Sequence, residues 1–367
     1  MADFRWVIEA VAVAVQARVP CLLTSIPGDA KTSIVGAIYN QLCEEHHTSI
    51  VALHEPPEYG GYPVPREDGV ALLPVAWVNR LATVKEGIAG LFLDEIGNGA
   101  PATRASAMRG ILDGTWGERN IPRLSTVAAQ NPPECSENGT ELSAPLANRF
   151  CHIQWDMPVA YWAEAMLGGF PSPKVSKLPA KWEEHIPWAR GLVAAFAAVR
   201  PASMKAMPNE TSARSGAWPS FRTWTMSMTL LAACRAGGYG VEHDVTRLLV
   251  AGCIGDGAGL EFLTWVSEQD LPDPELLLQD PKSLRLPERG DRCYAVLTSI
   301  VAAVLANNTP KRWNAAWYVL AQAVAQNRPD VAASSARALA RNRPVGVDPP
   351  KAINAFMPLL KAAGLLG

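Results

Sequence analysis

The chain has no Cys-x-x-Cys pair, no excess of one charge sign, no internal repeat, no low-complexity segment and no uncharged run long enough to span a bilayer. Each absence removes a class of protein. The seven cysteines (Cys21, Cys43, Cys135, Cys151, Cys234, Cys253 and Cys293) are an odd set without paired spacing, the pattern of reduced thiols in a cytosolic protein rather than of a disulfide scaffold. Lys and Arg number 33 against 35 Asp and Glu, a net charge of −2. That balance argues against coating nucleic acid or an anionic membrane, while leaving room for a local basic patch. The apolar stretch Val7–Val15 carries Glu9 and has neither a basic start nor a small-residue cleavage site, so it does not read as a signal peptide. A cytoplasmic location is the expectation. His54, His152, His185 and His243 lack metal-ligand spacing, and His46-His47 reads as a solvent-facing pair at a helix end. No Gly-x-Ser-x-Gly elbow is present.

What remains is a globular composition, 49% hydrophobic and 19% charged over 367 residues, which suits two domains with room for a third. Residues 5–17 read as a helix, and Cys21–Ser25 as a buried strand closed by Pro27-Gly28. Residues 31–46 return to a helical pattern, with Ile34, Ile38 and Leu42 on one face. Ser49–Leu53, Gly90–Leu93 and Ser125–Ala129 read as further strands, Leu72–Val84 as a helix, and the Pro-rich Glu55–Gly69 as a loop or short hairpin. Strands alternating with helices predict a parallel sheet covered on both faces. Residues 158–218 mix helical pieces with Pro-rich connectors and hold a domain boundary; from 220 onward the pattern is almost purely helical. The glycine-rich Gly252–Gly259 follows no strand and reads as a helix–helix turn, and the tryptophans 155, 162, 182, 188, 218 and 224 as core packing of a helical region.

Chemistry concentrates in two segments. In Thr24-Ser25-Ile26-Pro27-Gly28-Asp29-Ala30-Lys31-Thr32-Ser33 a strand is followed by a Pro-Gly turn, a Lys, a hydroxyl and a helix. A phosphate-binding loop needs these parts: backbone N–H groups and a helix N-terminus for the anion, a Lys for the outer phosphates, a hydroxyl for Mg²⁺. Pro27, Gly28, Asp29, Ala30, Lys31, Thr32 and Ser33 are therefore the candidate nucleotide-binding residues. Ser25 and Ala30 stand where that pattern has glycines, and a Cβ at Ala30 crowds the loop. In the second segment, Leu91-Phe92-Leu93-Asp94-Glu95, two carboxylates close a buried strand. Open α/β sheets bind ligands at that edge. Thr32 and Asp94 are the candidate metal-shell residues, and Glu95 the group that polarises an attacking water.

With these segments in order, the sequence resembles the AAA+ ATPases of the MoxR-type, helix-2-insert branch, over roughly residues 5–270. Thr24–Ser33 resembles the Walker A loop and Leu91–Glu95 Walker B; Glu55–Pro65 falls where that branch carries its insert. Val127-Ala128-Ala129-Gln130-Asn131-Pro132 is similar to the sensor 1 strand, Leu146-Ala147-Asn148-Arg149-Phe150 to the arginine-finger segment, and Pro219-Ser220-Phe221-Arg222 to sensor 2. The resemblance implies an α/β AAA+ P-loop core over residues 1–200 (insert about 55–84), an all-helical lid over 201–275 and a helical C-terminal extension over 276–367. It also implies catalytic roles: Glu95 as above, Asn131 orienting a water or phosphate oxygen, Arg149 serving a neighbouring subunit, and Arg222 reaching the phosphates from above. The cofactors implied are ATP and Mg²⁺. The partners are further copies in a homo-hexameric ring and a protein client, such as a von Willebrand A-domain protein, with no membrane. Arg104 and Arg109 follow Asp94 on a predicted helix without an assigned role. Two readings compete. Ser25 and Ala30 favour a nucleotide-regulated scaffold with little hydrolysis. A nucleic-acid motor is disfavoured, because Glu55, Glu58, Glu67 and Asp68 outnumber Arg66 in the insert.

Overall fold

A computed structural model describes residues 3–135, 141–268, 272 and 274–365. By contacts the chain divides into two compact units, residues through 182 together with 205–260, and residues 183–204 together with 261 onward. The chain crosses between them three times, after residues 182, 204 and 260; the first two crossings fall inside the 158–218 stretch where the composition changes, and the third falls outside it. The first unit thus holds most of the helices expected as a lid, and the second pairs the extension with one earlier helix.

The first unit opens with α1 (Phe4–Ala17), whose Asp3 side chain accepts from the Arg5 N–H, then β1 (Cys21–Thr24), α2 (Lys31–Leu42) and β2 (Glu45–Ile50). Next come α3 (Pro56–Gly60), the antiparallel hairpin β3 (Tyr62–Arg66) and β4 (Gly69–Leu73), and α4 (Ala76–Leu81). β5 (Ala89–Asp94), α5 (Pro101–Asp113), a small hairpin of β6 (Thr115–Trp116) and β7 (Arg119–Asn120), β8 (Leu124–Gln130), α6 (Ala144–Ala147) and β9 (Cys151–Gln154) complete the sheet region. Five strands form one parallel sheet in the order β2-β5-β8-β1-β9. The parallel α/β core expected from the sequence is the one observed. α7 (Val159–Leu167) follows, and α9 (Phe221–Ala236) and α10 (Asp244–Ile254) pack on one another, on α1 and, through α10, on β9.

Alternation explains the layers. Leu22, Leu91, Leu93 and Ala128 face one side of the sheet and join Trp77, Leu81, Ile111, Trp116, Leu146 and Phe150 in a single core. Tyr39 is buried on the other side, where its hydroxyl donates to the Leu91 carbonyl (2.9 Å) and accepts from the Val127 N–H (3.1 Å), bridging β5 and β8. The edge strand β9 is covered by α10 at Gly252, where a Cβ would stand 2.3 Å from the His152 carbonyl oxygen. The glycine-rich segment is thus a close helix approach followed by a turn at Gly255 (φ +83°).

Several local readings change. His46 and His47 lie in β2, opposite Gly90 and Leu91, not at a helix end. The Leu72–Val84 helix shrinks to α4, because Leu72 and Leu73 belong to β4. Trp155, Trp182 and Trp224 are buried as expected, whereas Trp162 is 46% exposed. Among the described residues no helix is long and apolar enough to cross a membrane.

His47 stacks on Trp77 (ring centroids 5.2 Å apart), and burial, with help from the nearby Arg80, holds its pKa down to about 4. The folded form therefore keeps the imidazole neutral while the unfolded chain protonates near pH 6.5. The stabilisation is complete above that pH and is lost as pH falls toward 4. We expect the melting temperature to fall more steeply between pH 7 and 4 for the native chain than for His47→Phe; parallel profiles would show that another group governs the transition.

The second unit comprises α8 (Ile186–Val199), the end of α11 (Asp256–Ser267), α12 (Pro274–Gln279), α13 (Gly290–Ala306), α14 (Pro310–Ala325), α15 (Pro329–Arg341) and α16 (Met357–Ala362). Its core holds Leu297, Ile300, Trp313, Trp317, Leu320, Leu339 and Phe356. α8 meets α13 at Gly191, where a Cβ would come 2.8 Å from Ser299 Cα.

Candidate functional site

The C-terminal ends of β1, β5 and β8 lie side by side, because β8 pairs with both of the others. Each strand end delivers one part of the site. β1 runs into the loop Ser25–Ala30, which turns at Gly28 (φ +94°) with no atom within 4 Å of where a Cβ would be. The loop is tied down at Asp29, whose carbonyl accepts from Trp155 Nε1 at 2.9 Å. Trp155 itself is fully buried, edge-on to Phe4 at 5.0 Å. Nothing in the loop's own sequence announces this anchor 126 residues away.

Lys31 opens α2 and is 8% exposed. Its ammonium lies 2.8 Å from Ser25 Oγ, 3.1 Å from the Ser25 carbonyl, 3.2 Å from the Ile26 carbonyl and 3.1 Å from Asn131 Oδ1. Burial lowers its pKa, against the opposing pull of Asp29, Asp94 and Glu95. Ser25, which departs from the glycine pattern, is fully buried and supplies the shortest of these contacts. Sequence reasoning treats it as a missing glycine; its hydroxyl is a ligand for the lysine.

Thr32 Oγ1 donates to Asp94 Oδ2 at 2.6 Å, closing the gap between the loop and β5. Glu95 follows with a left-handed backbone (φ 54°), its N–H donating to Asp94 Oδ1 at 2.9 Å and its side chain exposed. A non-glycine residue held in this conformation at a strand end is a strained position of the kind functional sites retain. Asn131 follows β8 and reaches Lys31, so Lys31, Thr32, Asp94 and Asn131 converge, with Glu95 adjacent in the chain.

Ala30 has φ 53° and ψ 24° and caps α2 without a side-chain hydrogen bond. The position asks for a left-handed residue, and Ala rather than Gly costs about 1 kcal/mol there. Ala30→Gly is accordingly expected to raise the melting temperature by about 2–4 °C. A scan showing no gain would mean that the loop is not strained at this residue.

Arg149 and Arg222 lie elsewhere. They line a cavity of about 620 Å³ with Val19, Pro20 and Leu124, which precede or begin their strands, so the pair stands at the opposite edge of the sheet from Lys31. Arg149 Nε donates to the Met108 carbonyl at 3.2 Å, and Arg149 also donates to the Pro145 carbonyl. Burial lowers its pKa, and the positive charge of Arg222 lowers it further. Ser220 Oγ, donating to Asn148 Oδ1 at 2.8 Å, brings the two segments together. Arg222 is therefore not placed above its own chain's phosphate loop, as the sequence suggested, but beside Arg149. Arg104 is 7% exposed on α5, and Arg109 pairs with Asp113 at 3.7 Å.

The donor set fits a nucleotide with Mg²⁺. A hydroxyl and a carboxylate converge beside a buried lysine and a helix N-terminus, and Mg²⁺ needs few protein ligands because it keeps waters and substrate oxygens. Among the described residues no group of three or more His, Cys, Asp or Glu gathers as a metal cage.

No protein-family model matches the chain, and no curated protein matches it. Among solved structures it is similar to a "putative ATPase" from Cytophaga hutchinsonii, at 16% identity and a TM-score of 0.40, over 67% of this chain and 80% of that one. A likeness of that size says nothing about function.

Proposed function

We propose that the protein is a ring-forming ATPase, similar to the MoxR-type AAA+ proteins, that hydrolyses ATP at subunit interfaces to remodel or assemble a partner protein. The observation that carries this reading is the convergence of Lys31, Thr32, Asp94 and Asn131 at one sheet edge, with the 2.6 Å Thr32–Asp94 bond at its centre. Bound ATP with Mg²⁺ would supply the anhydride to be cleaved. Thr32 and Asp94 would hold the metal, the loop from Pro27 to Ser33 would wrap the phosphates with its N–H groups, and Lys31 would leave Ser25 and Asn131 to meet the outer phosphates. Glu95 would take the proton of the attacking water at its carboxylate, and Asn131 would orient that water. Arg149 and Arg222, paired at the far edge, suit a neighbour's site rather than their own. The ring, its hexameric size and a client of the von Willebrand A-domain class follow from the sequence resemblance and belong to the proposal.

A second reading has its own observation. Lys31 is already satisfied by protein oxygens, so the loop can close without a ligand; a nucleotide-regulated scaffold with little turnover would use that state. The deciding experiment is phosphate release from ATP and Mg²⁺ by purified protein, with light scattering after size exclusion in parallel. Turnover with nucleotide-dependent rings supports the ATPase; assembly without turnover supports the scaffold; neither binding nor assembly removes both.

A further inference from the structure

Residues 301–367 hold eight Lys and Arg but only two carboxylates, Asp330 and Asp348, a net charge of +6. The 300 residues before them carry −8. An almost neutral chain thus concentrates its positive charge at one end of the second unit.

Three of the eight cations are engaged, one of them Arg343, whose Nε donates to the Val347 carbonyl at 2.6 Å. Arg312 pairs with Glu275 (Nη2 to Oε1, 2.7 Å), and Arg328 donates to the carbonyls of Pro287 and Glu288 at 2.6 and 3.2 Å. Arg343 is nonetheless exposed, as are Lys311, Arg337, Arg341, Lys351 and Lys361. Among the described residues only Arg343 approaches a carboxylate, Asp348 at 3.9 Å.

The fold sets these six on one helix pair and the segment that wraps it. Trp313 Nε1 donates to the Leu339 carbonyl at 2.9 Å and Asn308 Nδ2 to the Asn342 carbonyl at 2.7 Å, so α14 and α15 run antiparallel with the start of one against the end of the other. Lys311 therefore stands beside the turn that carries Arg341 and Arg343. Arg337 and Arg341, four residues apart, share the exposed face of α15, where like charges repel. The 3₁₀ turn Lys351–Phe356 packs on α14, with Phe356 against Trp317 at 5.9 Å, and α16 packs on α15, adding Lys351 and Lys361 to the same helix pair.

The surroundings select the partner. A protein interface is anchored by buried aromatic or aliphatic side chains, and stable membrane attachment needs a second signal, an inserted apolar face or an acyl chain, beside a basic patch. From residue 301 onward, the only large hydrophobic side chains exposed among the described residues are Tyr318 and Val345. A phosphate backbone needs no such anchor, only cations spaced along a surface. We propose that this face of α14, α15 and their C-terminal wrap is a sequence-independent contact surface for nucleic acid. The surface belongs to the second unit and the insert hairpin, whose acidic character disfavours a DNA-threading loop, to the first, and the proposal does not depend on the ATPase reading.

The test is fluorescence anisotropy of labelled single-stranded and duplex oligonucleotides of about 30 nucleotides with the full chain, at about 50 and 200 mM salt. Five phosphate contacts on duplex predict an affinity that falls on the order of 500-fold between those salts. R337E/R341E is expected to weaken binding at least about tenfold and to flatten the salt slope by about two, whereas R66E in the insert hairpin should leave both unchanged. If circular dichroism shows that the charge-reversed variant does not fold, R337A/R341A gives the same reading through the slope. Absence of binding to both oligonucleotides at the lower salt would overturn the proposal, as would folded variants that bind like the native chain. Displacement by polyglutamate at equal charge concentration would overturn it in favour of an acidic protein partner.

Discussion

Glu95→Gln is expected to lower ATP turnover by about 10²–10⁴-fold while leaving nucleotide affinity nearly unchanged. The two neighbouring carboxylates differ in what already occupies them. Asp94 receives the Thr32 hydroxyl on one oxygen and the Glu95 N–H on the other, so it is committed to fixing the loop and, when bound, the metal. Glu95 is exposed and is turned out of line by its left-handed backbone, which leaves its carboxylate open to a water. Glutamine keeps the size of the side chain but cannot take the proton. Phosphate release at saturating ATP, with affinity measured by calorimetry, separates the two effects. Turnover equal to that of the native chain would remove Glu95 from catalysis, and a parallel loss of affinity would place it in binding instead.

How far the site was legible depends on how local its determinants are. The β1 strand, the turn at Gly28 and the helix from Lys31 are consecutive, and a buried strand ending in Asp94 is visible from five residues. The sensor 1 resemblance of Val127–Pro132 points to Asn131, and β8, which leads into it, pairs with the Asp94 strand β5. Misplaced elements have a common physical cause. β2 is an edge strand of sequence Glu-His-His-Thr-Ser-Ile, too polar to show apolar alternation, so its start reads as the end of a helix. β9 has only four residues and is completed by α10, which no local pattern announces. Ser25 illustrates a different limit. Read against a glycine pattern it is a defect, whereas in three dimensions its buried hydroxyl answers a buried ammonium. Trp155 and Arg222 show the last limit, since their partners, Asp29 and Arg149, lie far away along the chain.

Arg149→Ala is expected to reduce turnover by about 10³-fold, comparable with the loss of an arginine that offsets charge in phosphoryl transfer. The effect should come from a neighbouring subunit, because Arg149 stands across the sheet from its own Lys31. Two guanidiniums placed together, with burial and mutual repulsion lowering the pKa of Arg149, form an arrangement that an incoming anion would relieve. Mixing separates this role from a structural one. Lys31→Ala subunits keep the arginine and lose the phosphate loop, Arg149→Ala subunits keep the loop and lose the arginine, and each alone should be inactive. Combined, they should regain activity wherever an intact loop meets an intact Arg149, since a head-to-tail interface joins the two different surfaces. If mixing restores nothing while both variants still assemble, Arg149 acts within its own chain through the Met108 and Pro145 carbonyls it holds. Arg149→Lys sharpens the distinction. The ammonium retains the charge but not the planar fork, so it should recover little turnover if a phosphate is gripped by two donors, and much of it if charge alone is needed.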